Sequence, residues 1–431
     1  MQGAGMSAFA TSEGGTVTQS SMQRSSGPLV VASLCAMMFI QFFIWGAWYV
    51  TAGNYMAAHG MSGIIHWAYT VGPLAAIVSP FFLGMVADRF FASERVLAAM
   101  HLIGGIAMLL APLAARVSGT LFILVLALHM LAYMPTLGLT NTLAFHNLTN
   151  QEKQFPLVRV FGTLGWIVAN WVVSKGLNAD KDPVQFYVTG AACFALTVFS
   201  FFLPHTPPPA RGQPVSARAI LGLDALRLFR SPSFAVFIIS SFLICIPLAA
   251  YYAYAPVFTA NAGFANPAAK MSFGQMAEVF FMLVMPWFFA ILGVKWMLVV
   301  GMLAWVVRYG LFSGAAAGGG VPWMIIGGIL LHGICYDFFF VTGFIYTDKK
   351  AAREIRAQAQ GLLVLVTQGL GMFIGAQVSG MLYNSLVLGR DAQGIGAFQS
   401  FWLIPCIAAA VVMVLFALLF RDDSREELAT H

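Results

Sequence analysis

Leu128-His129-Met130-Leu131-Ala132-Tyr133 lies inside an apolar run, residues 120–145, that holds no Asp, Glu, Lys or Arg. The pattern returns as Leu331-His332-Gly333-Ile334-Cys335-Tyr336, inside a second run near 321–346 whose single charge is Asp337. An offset of 203 residues carries His129 onto His332 and Tyr133 onto Tyr336. The same offset carries Gly60 onto Gly263. A bilayer-crossing helix needs about 20 apolar residues, so both runs read as membrane spans. The recurrence reads as a duplicated half.

The rest of the chain agrees with that reading. Of 431 residues, 60% are hydrophobic and 9% charged, and the mean hydropathy is +0.82. Soluble domains carry about 25% charged residues. A soluble fold is therefore excluded, as is a disordered chain, which needs low hydrophobicity and high charge. An outer-membrane barrel alternates polar and apolar residues, whereas these runs are apolar on all sides. Cys35, Cys193, Cys245, Cys335 and Cys406 all fall in apolar runs and show no metal-binding spacing, so they read as packing residues.

Twelve spans follow. The first six run near 28–53, 64–84, 95–115, 120–145, 156–176 and 184–204. The second six run near 234–259, 271–292, 296–316, 321–346, 358–386 and 398–420. The expected organisation is a disordered cytoplasmic tail at 1–27, a six-helix half at 28–204, a linker at 205–231, a second half at 232–420 and a tail at 421–431. The linker holds Pro207-Pro208-Pro209 and four arginines. With the N-terminus inside, 14 Lys and Arg fall on inner loops and tails against 5 on outer loops. Basic residues favour the cytoplasmic side, so both termini are expected there. The net charge of +6 is this bias and gives no reason to invoke nucleic acid.

Two parallel six-helix halves match the major facilitator plan, in which solute binds between the halves near the midplane. The loop after the second span reads Gly84-Met85-Val86-Ala87-Asp88-Arg89, followed by Glu94-Arg95. It resembles the G-x-x-x-D-R…R signature of that superfamily. Gly84, Asp88, Arg89 and Arg95 are the candidate cytoplasmic latch, with Asp88 at a helix end pairing with arginine.

Further motifs narrow the resemblance. They are Gln41 to Trp48 in the first span, Tyr133-Met134-Pro135-Thr136 with Asn141-Thr142 in the fourth, and Phe155-Pro156 with Arg159 to Trp166 in the fifth. Gln275-Met276-Ala277-Glu278 lies in the eighth span and Tyr336-Asp337-Phe338-Phe339 in the tenth. As a set, over roughly residues 30 to 420, they resemble the nucleoside:proton symporter family, the bacterial nucleoside permeases. The resemblance implies a proton-coupled nucleoside importer of the bacterial inner membrane that works by alternating access. It implies substrate contacts at Arg159, Thr163, Trp166, Gln275, Glu278, Tyr336 and Asp337. Two departures stand out. Ala249 and Tyr252 replace a glutamine and an asparagine in the seventh span, and His332 replaces a tyrosine. Tyr252 and His332 join the candidate substrate contacts. Buried amides discriminate strongly among polar substrates, so a sugar or other small polar metabolite is the alternative solute.

The residues support proton coupling without the family. Among 16 carboxylates only Glu278 and Asp337 lie inside spans. A buried ionised group costs several kcal/mol unless paired or neutralised. A carboxylate that takes a proton in one conformation and releases it in another is what a proton-coupled carrier needs. The plain alternative is two structural groups, paired with Arg308 or with backbone. Arg159 reads either as a site residue or as a snorkelling one. Arg308 reads as a partner of Asp337 or Glu278, or as structural. His129 reads as helix packing. Trp45, Trp48, Trp166, Tyr251, Tyr252 and Tyr336 are candidates for a ring-binding slot, against packing or interface-belt roles. No nucleophile–base pair, phosphate loop or metal cluster is present, so neither an enzyme nor a cofactor is expected, and a monomer is the default.

Overall fold

The computed structural model describes residues 27–82, 88–208 and 222–423, which are helical throughout with no strand. Residues 1–26, 209–221 and 424–431, which make up most of the expected tails and part of the expected linker, lie outside the described residues, as do 83–87. The first half contributes α1 (Pro28–Tyr49), α2 (Ile65–Phe82), α3 (Ser93–Val117), α4 (Gly119–Asn147), α5 (Gln151–Asn170) and α6 (Val184–Ser200). The second contributes α7 (Pro232–Asn261), α8 (residues 273–292), α9 (294–317), α10 (Pro322–Lys350), α11 (Arg356–Leu386) and α12 (Phe398–Leu419). All but α6 fall in stretches of 18 residues or more apolar enough to span a bilayer.

Local chemistry sets the boundaries. Pro28, Pro232 and Pro322 occupy first-turn positions, where a missing N–H costs nothing. Ser118, Asn150 and Ser231 accept from the backbone N–H three residues on, at 3.1, 3.0 and 3.3 Å, which is ordinary N-capping. The helical path from Phe273 to Ala317 breaks at Gly293, whose φ of 66° and ψ of −178° suit glycine alone. That single residue turns the chain back between α8 and α9.

The repeat persists in three dimensions. Gly60 and Gly263 take matching φ of 74° and 81°. The 203-residue offset also pairs Trp48 with Tyr251 and Tyr49 with Tyr252. Trp48 packs edge-on to His129 at 5.7 Å, and Tyr251 stacks on His332 at 5.5 Å. Tyr49 and Tyr252 meet across the boundary between halves, with ring centroids 6.3 Å apart. The two halves thus present equivalent faces to each other, and the site lies on those faces.

Candidate functional site

Between the halves lies a cavity of about 150 Å³. Helix α1 lines it with Phe42, Trp45 and Tyr49, and α5 with Arg159, Thr163 and Trp166. From the second half come Tyr252 on α7, Gln275 and Glu278 on α8, His332 and Tyr336 on α10, and Gln368 and Met372 on α11. Larger hollows flank α1 and α2, but their linings are mostly apolar. Polar groups converge on the cavity between the halves, as expected of a small-molecule site.

The first half supplies an aromatic wall. Trp45 meets Trp166 edge-on at 5.5 Å, and Tyr49 approaches both at 5.6 and 6.1 Å. Behind Trp45, Gln41 donates to Thr136 Oγ1 at 2.6 Å and its Oε1 meets His101 Nε2 at 2.8 Å. Tyr133 donates to the Gln41 carbonyl at 2.7 Å. This network fixes α1 against α3 and α4. The Arg159 guanidinium lies 4.4 Å above the Phe42 ring, on a residue that is exposed and also lines the cavity. It belongs to the cavity wall.

The second half supplies hydrogen-bonding groups. Gln275 and Glu278, three apart on α8, both face the cavity. His332 Nε2 lies 3.8 Å from Glu278 Oε2, an electrostatic contact longer than a hydrogen bond. Gly333 allows this meeting, because a Cβ there would stand 2.6 Å from the Ala277 carbonyl carbon. Only glycine lets α10 lie this close to the α8 backbone.

Asp337 stands apart. It sits in the π-helical turn Ile334–Val341, is fully buried, and has no hydrogen-bond partner for either carboxyl oxygen among the described residues. It does not line the cavity, although it is close enough to Glu278 for the two carboxyls to act on each other electrostatically. The other eight sequence-predicted contacts meet at one place. Arg308 makes neither ion pair suggested for it. Its Nε donates to the Gly328 carbonyl at 3.0 Å, and its guanidinium lies 4.0 Å above the Tyr251 ring. Tyr251 in turn stacks on His332. Trp48 and Tyr251 are packing partners behind the cavity, and His129 packs with Nδ1 3.0 Å from the Gly104 carbonyl.

Sequence reasoning missed Tyr49, Gln368 and Met372 as cavity residues, gave Phe42 no role, and passed over His101. Tyr49 was findable as the repeat mate of Tyr252. Gln368 and His101 carried the signal of polar side chains inside apolar runs. Of the candidate latch, Gly84 and the Asp88 side chain lie outside the described residues. Arg89 sits on the short helix Asp88–Phe90, and Arg95 is exposed at the start of α3. Their neighbour Glu94 is buried, 2.8 Å from His205 Nδ1, and accepts from the Thr206 N–H at 3.0 Å.

Opposite the central insert, at the far end of the helices, hydrogen bonds join the halves. Trp171 donates to Ser272 at 2.9 Å, Asn266 to the Ser174 carbonyl at 2.6 Å, and Gln377 to Thr70 at 2.7 Å. Asp180 accepts from Ser174 Oγ at 2.6 Å and from the Ala268 N–H at 3.1 Å, so an acid of the first half caps a helix of the second. Burial raises the Asp180 carboxyl above its ordinary range, against the pull of those two donors. Opening this end would return Asp180 to water and to its ordinary range. Proton affinity is then higher when the end is sealed, so the seal strengthens as pH falls and weakens as pH rises. Asp180→Asn keeps an acceptor without charge and should slow hydrogen exchange across residues 266–272. Asp180→Ala should speed it, by roughly 5- to 150-fold for about 1–3 kcal/mol of unpaired donors. Equal exchange in all three proteins would contradict this role.

Residues 29–425 match the family described as Nucleoside H+ symporter. YegT of Escherichia coli strain K12 is 38% identical over 405 residues, covering 92% of this chain and 95% of that protein. Xanthosine permease of the same strain is 30% identical over 423 residues, covering 93% and 98%. The crystal structure of nucleoside transporter NupG superimposes with a TM-score of 0.81 at 30% identity, covering 91% of this chain and 99% of that one.

Proposed function

The chain belongs to the nucleoside H+ symporter family, and we propose that it imports a nucleoside together with a proton through the cavity between its halves. One observation carries this reading. A single cavity combines an aromatic wall, a sheltered carboxylate and a set of donors and acceptors, at the boundary of two halves that can rock. The wall of Trp45, Tyr49, Trp166 and Tyr252 suits a planar base. Arg159, Thr163, Gln275, Glu278, His332 and Tyr336 suit ribose hydroxyls and base edges. Glu278 is the group that meets solute and proton together. Asp337 is the second proton site, set behind the lining. The aromatic wall favours a nucleoside over a free sugar.

Hydrogen bonds tie the halves at the far end, and the exposed cavity residue Arg159 lies toward the insert end of α5, which supports a conformation that releases or receives solute on the insert side. The bias of basic residues supports a cytoplasmic insert side with both termini there, in a monomeric carrier of the bacterial inner membrane. Gly84, Asp88, Arg89 and Arg95 latch that side when the far end opens. The cavity is smaller than the ~300–1,000 Å³ of typical ligand sites, so loading parts its side chains.

Proteoliposomes test this reading. With the pH one unit lower outside, labelled uridine or adenosine should accumulate up to about tenfold for one proton per solute, since each ~1.4 kcal/mol is a factor of ten. A protonophore should collapse the accumulation. Entry that only equilibrates, whatever the gradient, would contradict coupling.

A further inference from the structure

Four glutamines punctuate α11, and the first, Gln358, accepts from the Asp224 N–H at 3.2 Å. Gln360 donates to the Phe344 carbonyl at 2.9 Å, and Gln377 donates to Thr70 at 2.7 Å. Gln368, between them, lines the cavity and makes no hydrogen bond among the described residues. An amide at membrane depth is costly when unpaired, so its natural partner is whatever fills the cavity.

The backbone holds Gln368 there. It lies in the π-helical turn Leu365–Gly371, and such turns recur at functional sites because the extra residue redirects side chains. Glycines flank it on the packed faces. A Cβ on Gly369 would stand 2.9 Å from Ile77 on α2, and one on Gly371 would stand 2.8 Å from the Cys245 side chain on α7. Helix α11 is thus seated closely against both neighbours, which fixes how far Gln368 projects. Met372, four residues on, lines the same cavity and offers a polarisable apolar surface suited to an aromatic ring.

An amide presents donor and acceptor side by side and matches base edges that do the same, as in bidentate pairing with adenine. Resting on the transport reading above, we propose that Gln368 is a specificity-determining contact that reads the hydrogen-bonding edge of the nucleobase, while Met372 packs on its ring. The ionisable groups Arg159 and Glu278 are left to the ribose and the proton.

The test compares the purified full-length protein with Gln368→Leu, each titrated with adenosine and with purine riboside, which lacks the exocyclic amino group. Cytidine and its deaminated-edge analogue 2-pyrimidinone riboside form a second pair. Wild type should prefer the amino member of at least one pair. Gln368→Leu should lose about 5- to 150-fold in affinity for that member, the cost of a lost bidentate base contact, and under threefold for its partner. Selectivity within the pair should therefore collapse. If Gln368→Leu is not recovered folded, Gln368→Asn, which withdraws the amide by one methylene, should show the same selective loss. Equal loss for both members of a pair, or no loss, overturns the assignment while the transport reading stands. Wild-type protein that binds none of the four ribosides overturns the transport reading itself.

Discussion

Glu278→Gln should abolish concentrative uptake while leaving solute exchange across the membrane. The Glu278 side chain is only 15% exposed, faces the cavity and lies 3.8 Å from His332. Glutamine keeps its size and hydrogen-bonding capacity but cannot exchange a proton. A one-unit gradient that drives about tenfold accumulation for one proton should then drive none, and counterflow of labelled nucleoside should persist. Asp337→Asn should also end accumulation, with a different signature. Asp337 does not line the cavity, so nucleoside affinity should stay within about threefold, whereas Glu278→Gln changes affinity as well. Normal accumulation in both variants would refute the assignment of these carboxylates. Loss of affinity in Asp337→Asn equal to that in Glu278→Gln would place Asp337 in the solute site after all.

The second large effect is expected at a residue with no side chain. Gly333→Val places a branched side chain where Cβ alone would stand 2.6 Å from the carbonyl carbon and oxygen of Ala277 and 2.7 Å from the Glu278 nitrogen. These are backbone atoms of α8, so no flexible side chain can yield. Helix α8 must move away from α10, and overpacking of this kind costs about 1–3 kcal/mol or more. Glu278 moves with it and leaves His332. Thermal unfolding should shift several degrees lower, and the protein that remains folded should neither bind nor accumulate nucleoside. Gly327→Ala is the control, since its nearest neighbour would be the Leu311 side chain at 3.6 Å. Near-wild-type stability and uptake in Gly333→Val would show that this helix contact does not position the site.

The fold was legible because its signals are long and redundant. Apolar runs the length of a bilayer and the offset shared by His129 and His332 both point to twelve helices in two halves. The site was legible where polarity is rare. Glu278, Gln275 and Arg159 are conspicuous inside apolar runs, and helical spacing puts the first two on one face. What escaped was rotation. Whether a residue on α10 or α11 faces the cavity depends on π-helical turns, which shift a face by one residue and leave no mark in composition. Hence Asp337, expected among the solute contacts, lies behind the lining, and Gln368 lies in it. The Arg308 environment escaped for a related reason. A buried cation suggests a carboxylate partner, but here a tyrosine ring and a backbone carbonyl take that place.

The most direct test of proton–nucleoside coupling is to let the nucleoside move the proton. Proteoliposomes holding a trapped pH-sensitive dye are prepared with equal pH on both sides, and nucleoside is added outside. The lumen should acidify as solute enters, in step with uptake, and vesicles carrying Glu278→Gln should show no acidification. Entry of nucleoside into wild-type vesicles with no change in lumenal pH would contradict the account.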